Sequence, residues 1–163
     1  MNKHPSNPEI EGVNELCCAI GHVVVQWGFV EHNLNICLSI IWHTFGGNKI
    51  AKKRKIDKFQ RRQIDFLRDC FKTLYSLAPF KDEGIPLLDR IATLLNERDD
   101  IFHSTYAGLW EDSFKFYTFS FRDSQMIYIR KLKRTIASIL ETRKKIQDLA
   151  ADLGHFGLRL SGK

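Results

Sequence analysis

The sequence predicts an all-α fold, a four-helix bundle with a small β-hairpin inserted between the third and fourth helices. Four segments repeat apolar residues at helical spacing, whereas residues 104–130 alternate aromatic and β-branched runs with polar turns. The length of 163 residues suits one domain covering 1–163. A hydrophobic fraction of 44% with only four prolines excludes disordered and collagen-like chains.

The first helix is predicted over about residues 10–44, because apolar side chains recur there every seven residues. One set is Val13, Ile20, Trp27, Leu34 and Ile41, and a second set offset by three is Leu16, Val23, Val30 and Cys37. Gly21 and Gly28 share one heptad position beside this stripe. Such a glycine strip allows either close approach of another helix or a local bend.

Three further helices follow a basic connection over residues 46–55. The second begins near Ile56 and is closed by Pro79, and the third begins near Pro86, which suits a first helical turn, and runs to Phe102. The fourth spans about 131–153. Between the third and fourth helices, the runs TYAGLW, FKFYTFSF and MIYI predict an antiparallel hairpin or meander.

The net charge of +6 is unevenly distributed along the chain. Residues 1–48 carry one base and four acids, a net of −3, so the remainder carries +9. A basic region of this size suits a polyanionic partner such as nucleic acid, although many basic proteins bind none.

Cellular location is predicted from the cysteines and the N-terminus. Cys17, Cys18, Cys37 and Cys70 form no C-x-x-C pair, as expected for structural thiols in a reducing cytosol. The N-terminus lacks the apolar core of a signal peptide, and Glu31 interrupts the best candidate membrane span. A cytoplasmic protein that does not associate with membranes is therefore expected.

The end of the third helix, NERDDIFHSTY, brings together three side chains that could perform chemistry. Asp99 lies four residues before His103, so the two share a helix face, and Arg98 lies one step around the same surface. RNA carries its own nucleophile, the 2′-hydroxyl, and its cleavage needs a base and a cation at phosphorus. His103 would be base or acid, Arg98 the phosphate clamp, and Asp99 would orient His103. The alternative is that Arg98 pairs with an Asp or Glu on the surface and that His103 caps the helix.

This segment resembles the R-polar-x-x-x-H signature of HEPN domains, small all-α nucleases of toxin–antitoxin and defence systems. The match consists of Arg98, Asp99 and His103 late in the third helix, and the first helix is similar through Trp27 and Glu31. The resemblance implies a symmetric homodimer whose two signatures meet at one composite site. It also implies a metal-independent endoribonuclease without a cofactor, and an antitoxin or another partner protein as a further partner. Toxins of this family regulated by nucleotidyltransferases typically show His-x-Tyr, whereas here the tyrosine, Tyr106, comes one residue later.

Glu31 interrupts an otherwise apolar strip of the first helix, and an unpaired buried carboxylate is costly. We expect it to pair with Arg98 or another base of the third helix. Glu31 would then hold that base in position without contacting the substrate. The alternative is a structural ion pair without a role in turnover.

Basic residues flank this site in the sequence and could bind the RNA backbone, of a single strand or of tRNA, without choosing its sequence. They are Lys52, Lys53, Arg54, Lys55, Arg61 and Arg62 after the first helix, and Arg130, Lys131, Lys133 and Arg134 at the predicted start of the last. The aromatic residues of the hairpin could stack on bases, but packing within the hairpin or a dimer contact is favoured.

Two functions therefore remain open. The first is a metal-independent endoribonuclease that cleaves by 2′-hydroxyl attack at a composite dimer site. The second is a non-catalytic helical module of the same fold that binds RNA, a nucleotide or a protein partner. The sequence contains no Gly-rich phosphate loop, His-Glu-x-x-His or Gly-x-Ser-x-Gly, and Cys18 with His22 is too few ligands for zinc.

Overall fold

The computed structural model of the protein describes residues 8–51, 58–110, 113–122 and 125–162. The described chain is mostly helical with one small antiparallel sheet. The helices are α1 (Pro8–Thr44), α2 (Gly47–Ile50), α3 (Gln60–Thr73), α4 (Lys81–Phe102) and α5 (Ile136–Leu160), with a 3₁₀ helix over Tyr75–Phe80. The strands are β1 (Thr105–Trp110), β2 (Ser113–Arg122) and β3 (Gln125–Arg134). The predicted helical architecture with a β insertion is confirmed at this level.

The described chain divides into two compact units. One, here the sheet unit, comprises Met1–Val25 and Asn96–Lys144, and the other, the helical unit, comprises Gln26–Leu95 and Lys145–Lys163. Helices α1, α4 and α5 each contribute residues to both units. The prediction of a single domain is not tested by this division and stays a prediction.

The helical unit is built around an apolar core to which four helices contribute. Leu34 from α1, Leu67 and Phe71 from α3, Leu87 from α4 and Leu153 from α5 line a residual cavity of only about 10 Å³. A void of that size could hold at most about one water molecule, so the side chains are closely packed. Polar bonds join the same helices, such as the amide of Asn33 donating to the carbonyl of Ala150 at 2.7 Å.

In the sheet unit, the three strands form an antiparallel meander in the order β1-β2-β3. Phe114 and Phe116 of β2 are buried, and Tyr106 of β1 packs on both with ring centroids 6.2 and 6.1 Å away. The expectation that the hairpin aromatics pack rather than stack on bases is confirmed for these two phenylalanines. A register shift between Tyr106 and Gly108 marks a bulge in β1.

Three predicted boundaries are wrong. Helix α3 ends at Thr73 and not at Pro79, and α4 begins at Lys81, five residues before Pro86. Helix α3 begins at Gln60, and Ile56, near which it was predicted to begin, lies outside the described residues. Asp82 and Glu83 in the first turn of α4 favour this earlier start, because acidic side chains stabilise the positive end of a helix. Pro86 therefore lies inside the helix and not in its first turn.

The third error concerns the last helix, which spans Ile136–Leu160 and not 131–153. Residues 131–134 belong to β3, where Lys133 pairs with Lys115 and Arg134 with Phe114 of β2. The hydroxyl of Thr135 accepts from the backbone N–H of Ser138 at 3.1 Å, a side-chain cap that fixes the start of α5.

One helix of the described chain, α1 over Ile10–Thr44, is long and apolar enough to cross a membrane by length and composition. Its most apolar 18-residue window has a mean hydropathy of 1.3, and 28% of that window is buried. The core helix of a soluble protein and a signal sequence pass the same test. The predicted cytoplasmic location stays a prediction.

Candidate functional site

The end of α4 brings the three predicted site residues together within the sheet unit. Asp99 Oδ1 accepts a hydrogen bond from Arg98 Nη1 at 2.9 Å and lies 3.9 Å from His103 Nε2. The longer distance exceeds a hydrogen bond and is an ion pair only when the imidazole is protonated. Asp99 therefore bonds directly to Arg98 and acts on His103 through its charge.

The three side chains differ in their access to solvent. The side chains of Arg98 and Asp99 are 23% and 30% exposed, whereas that of His103 is 71% exposed. His103 follows the last residue of α4, and its backbone N–H still donates to the carbonyl of Asp99 at 2.9 Å. The imidazole is thus held at the helix end by its backbone and presented to solvent by its side chain.

Phe102 is a further member of the cluster that the sequence did not identify. The guanidinium carbon of Arg98 lies 4.4 Å from the centroid of its ring, a cation–π contact at helical i, i+4 spacing. The i, i+4 spacing of Arg98 and Phe102 in the sequence was enough to predict this contact. Arg98 is therefore fixed on two sides, by the Asp99 carboxylate and by the Phe102 ring.

Hydroxyl contacts join the end of α4 to the middle of the sheet. Ser104 Oγ and Thr118 Oγ1 of β2 lie 3.0 Å apart, and Ser104 also donates to the carbonyl of Asp100. Thr142 near the start of α5 donates to a carboxylate oxygen of Glu97 at 3.2 Å. These bonds hold the segment around Arg98 and His103 against both β2 and α5.

Glu31 is half-buried on α1 and belongs to the helical unit, whereas Arg98 belongs to the sheet unit. The predicted pairing of Glu31 with Arg98 or another base of the third helix stays a prediction.

The predicted backbone-binding residues fall into separate regions. Lys52, Lys53, Arg54 and Lys55 lie outside the described residues. Arg61 and Arg62 are exposed at the start of α3, where Arg62 and Lys58 each lie 5.4 Å from the centroid of the exposed Phe59 ring. On β3, Lys131 and Lys133 are exposed and Arg134 is half-buried, while the side chain of Arg130 lies outside the described part.

The cysteines differ from the expectation of four structural thiols. Cys37 and Cys70 are buried, and burial raises the pKa of their thiols to about 12 and about 11. Cys17 and Cys18 are exposed, and Cys18 Sγ lies 3.6 Å from His22 Nε2. Cys18 and His22 therefore lie at the surface. Among the residues that the structure describes, no three His, Cys, Asp or Glu side chains are grouped so that they could hold a metal ion.

Comparisons of this chain with protein-family models, with curated proteins and with solved structures gave no match.

Proposed function

We propose that the protein is a HEPN-like four-helix-bundle protein that acts as a metal-independent endoribonuclease of the toxin or defence type. The observation that carries the proposal is the cluster of Arg98, Asp99 and His103 at the end of α4, with the imidazole facing solvent. A guanidinium and an accessible imidazole are the two groups that RNA cleavage by its own 2′-hydroxyl requires.

In the proposed reaction, a base takes the proton from the 2′-hydroxyl and the 2′-oxygen attacks the adjacent phosphorus. The bond from phosphorus to the 5′-oxygen breaks, and an acid returns a proton to that oxygen. The products are a 2′,3′-cyclic phosphate and a 5′-hydroxyl, and no further reactant is consumed.

The proposal assigns the two proton transfers to two copies of His103, one from each protomer of a homodimer. Arg98 would stabilise the charge on phosphorus, and its bond to Asp99 uses one of the five N–H donors of a guanidinium. Asp99 would orient the imidazole of His103, because its carboxylate lies 3.9 Å from Nε2.

Helix α1 supports the dimer in this proposal. Val24 and Val25 are half exposed, and a side chain built at Gly21 would meet nothing within 4 Å. Apolar side chains beside an open glycine suit the close approach of a second helix. The end of α4 is the other candidate for the dimer face.

The deciding experiment is cleavage of total tRNA and of a labelled single-stranded RNA, with EDTA present throughout. We expect cyclic-phosphate products from the wild type and a loss of at least about 100-fold in rate for both Arg98→Ala and His103→Ala, the usual range for removing a general acid or base. Arg90→Ala is the matched control, because Arg90 also pairs with an aspartate, Asp152, at 2.7 Å. Circular dichroism would show that each variant folds.

Cleavage that persists in folded His103→Ala would contradict the assignment of His103. A wild-type protein that is strictly monomeric at micromolar concentration by light scattering would contradict the composite site.

The second candidate is the non-catalytic module that binds RNA, a nucleotide or a protein partner. The observation that favours it is the bond between Arg98 and Asp99, which offsets much of the charge that a phosphate would meet. A folded, dimeric wild type that binds RNA with strong salt dependence and releases no product would identify this function.

A further inference from the structure

The three strands of the sheet carry bases and no acids. Lys115, Arg122, Arg130, Lys131, Lys133 and Arg134 lie within the strand bounds, and no Asp or Glu does. The three acids of this region, Glu111, Asp112 and Asp123, fall between the strands in the sequence.

The strand register separates the described side chains into two faces. The inner face contains the buried Phe114 and Phe116 of β2, with Leu132 of β3 opposite Phe116. Because side chains alternate along a strand, the intervening residues form the other face. This outer face consists of Thr105 of β1, Lys115 and Tyr117 of β2, and Lys131 and Lys133 of β3.

The outer face places like charges in direct opposition. Lys115 pairs with Lys133 of the neighbouring strand. Lys131 precedes Lys133 by two residues, which is about 7 Å along the strand. Directly opposed like charges destabilise a sheet. Lysines at a sheet edge discourage strand addition, but Lys115 is on the central strand, so that role does not explain it. A polyanion along this face would be attracted by all three lysines.

The outer face leads to the catalytic cluster. Thr105, Tyr117 and Lys131 form one rung across the three strands, and Thr105 is two residues beyond His103. The contact between the hydroxyls of Ser104 and Thr118, which is on the inner face, fixes the helix end next to this rung. A chain of phosphates bound along the outer face would therefore run towards the imidazole.

We propose that the outer face with Lys115, Lys131 and Lys133, from here on the lysine face, binds the sugar–phosphate backbone of single-stranded RNA and delivers it to His103. The inference rests on the proposed function, since it specifies how the substrate of that site is bound. Lys115, Lys131 and Lys133 contact phosphates, and Tyr117, half-buried among them, provides a ring on which one base stacks. Contacts of this kind bind RNA regardless of its sequence.

The test measures binding of a 2′-O-methyl oligoribonucleotide of about 16 nucleotides, which cannot be cleaved, by fluorescence anisotropy across a salt series. The variant is Lys131→Gln/Lys133→Gln, and the matched control is Lys72→Gln/Lys81→Gln, two exposed lysines of the helical unit. We expect the sheet variant to bind roughly tenfold more weakly at low salt and its salt slope to fall by about 1.4, or 0.7 per lost contact. The control should keep the wild-type slope.

Cleavage kinetics provide a second readout. The sheet variant should raise KM severalfold with kcat unchanged, because a backbone contact remote from the reacting atoms stabilises substrate and transition state equally. A fall in kcat with KM unchanged would overturn the proposal, because the lysines would then act on the chemistry itself.

Equal slopes for the sheet variant and the control would also overturn the inference. Lysine-dependent binding to phosphatidylserine vesicles, with RNA binding unaffected by the substitutions, would assign the face to a membrane and overturn it as well. Failure of the proposed function is distinguishable, because the wild type would then bind the 2′-O-methyl RNA through these lysines without cleaving ordinary RNA.

Discussion

The helical unit and the sheet unit differ in what their residues are suited to do. Of the largest fully buried side chains described, Ile139 alone belongs to the sheet unit, and the helical unit holds the others, from Trp27 to Leu153. The sheet unit holds the Arg98–Asp99–His103 cluster and the lysine face. Apolar packing dominates one unit, whereas the other places charged groups at its surface.

Under the proposed function, this difference separates the residues that determine stability from those that act on RNA. Closely packed cores contribute most of the folding free energy, while opposed like charges and exposed polar clusters reduce stability in exchange for binding. Substitutions in the helical unit should therefore change stability first, and those in the sheet unit should change RNA binding and turnover first.

The largest effect is expected from Leu67→Ala in the core of the helical unit. Leu67 is fully buried on α3, and removing it leaves a cavity that closely packed neighbours fill poorly. The free energy of unfolding should fall by about 2–5 kcal/mol in urea denaturation. Leu158→Ala is the control, because that side chain is half exposed, and it should cost less than about 1 kcal/mol. Similar losses for the two variants would contradict the packing described here.

Gly84→Ala should have the next largest effect. A Cβ at Gly84 of α4 would lie 2.8 Å from Cε1 of Phe71, whose ring packs against Phe156 at a centroid distance of 6.2 Å. Because the buried ring has little room to move, overpacking should cost about 1–3 kcal/mol despite the better helix propensity of alanine.

Thermal melting would measure this loss, with Gly21→Ala as the control because its Cβ would meet nothing within 4 Å. A Gly84→Ala protein as stable as the wild type would show that Phe71 repacks freely.

The sequence was sufficient to predict the elements of the fold that depend on local residue patterns. The heptad set around Trp27 and Leu34 predicted α1, and the i, i+4 spacing of Asp99 and His103 predicted their proximity. It failed where distant residues decide the structure. Residues 131–134 alternate lysine with leucine and arginine, a pattern that a helix also tolerates, and pairing with β2 makes them a strand.

The same reason explains what was missed in the site. The lysine face depends on the register that sets Lys115 opposite Lys133, and no local pattern contains that register. Phe102, by contrast, lies four residues after Arg98, and its contact was predictable from spacing alone.

Asp99→Asn, in the sheet unit, should change RNA binding and turnover while hardly changing stability, the opposite of the two core substitutions. Its pair with Arg98 is partly exposed, so the unfolding free energy should change by less than about 1 kcal/mol. Loss of a negative charge beside Arg98 and His103 should tighten binding of 2′-O-methyl RNA severalfold, while kcat falls roughly tenfold because His103 loses the carboxylate that orients it.

Asp152→Asn, which removes the partner of Arg90 in the helical unit, is the matched control and should leave both RNA binding and kcat unchanged. An unaltered kcat in Asp99→Asn would exclude Asp99 as a positioning residue.

The smallest effect concerns the buried thiols in alkaline solution. Burial raises the pKa of Cys37 from 9.0 to about 12, so above pH 9 the unfolded chain loses a proton that the folded chain keeps. The unfolded state then binds fewer protons, and stability falls as pH rises from 9 towards 12. Urea denaturation at pH 8 and pH 10 should show a smaller alkaline loss for Cys37→Ala than for Cys17→Ala, whose thiol is exposed. Equal losses would contradict a contribution from Cys37.

Because β3 is the terminal strand of the described sheet, Lys131 and Lys133 also affect self-association of the protein. In the described sheet, β3 pairs with β2 on one side, and Lys131 and Lys133 project from this terminal strand. Positive charge on a terminal strand keeps other chains from extending the ladder. A polyanion that neutralises these lysines removes that barrier, so saturating RNA would promote assembly of the protein into larger particles through β3.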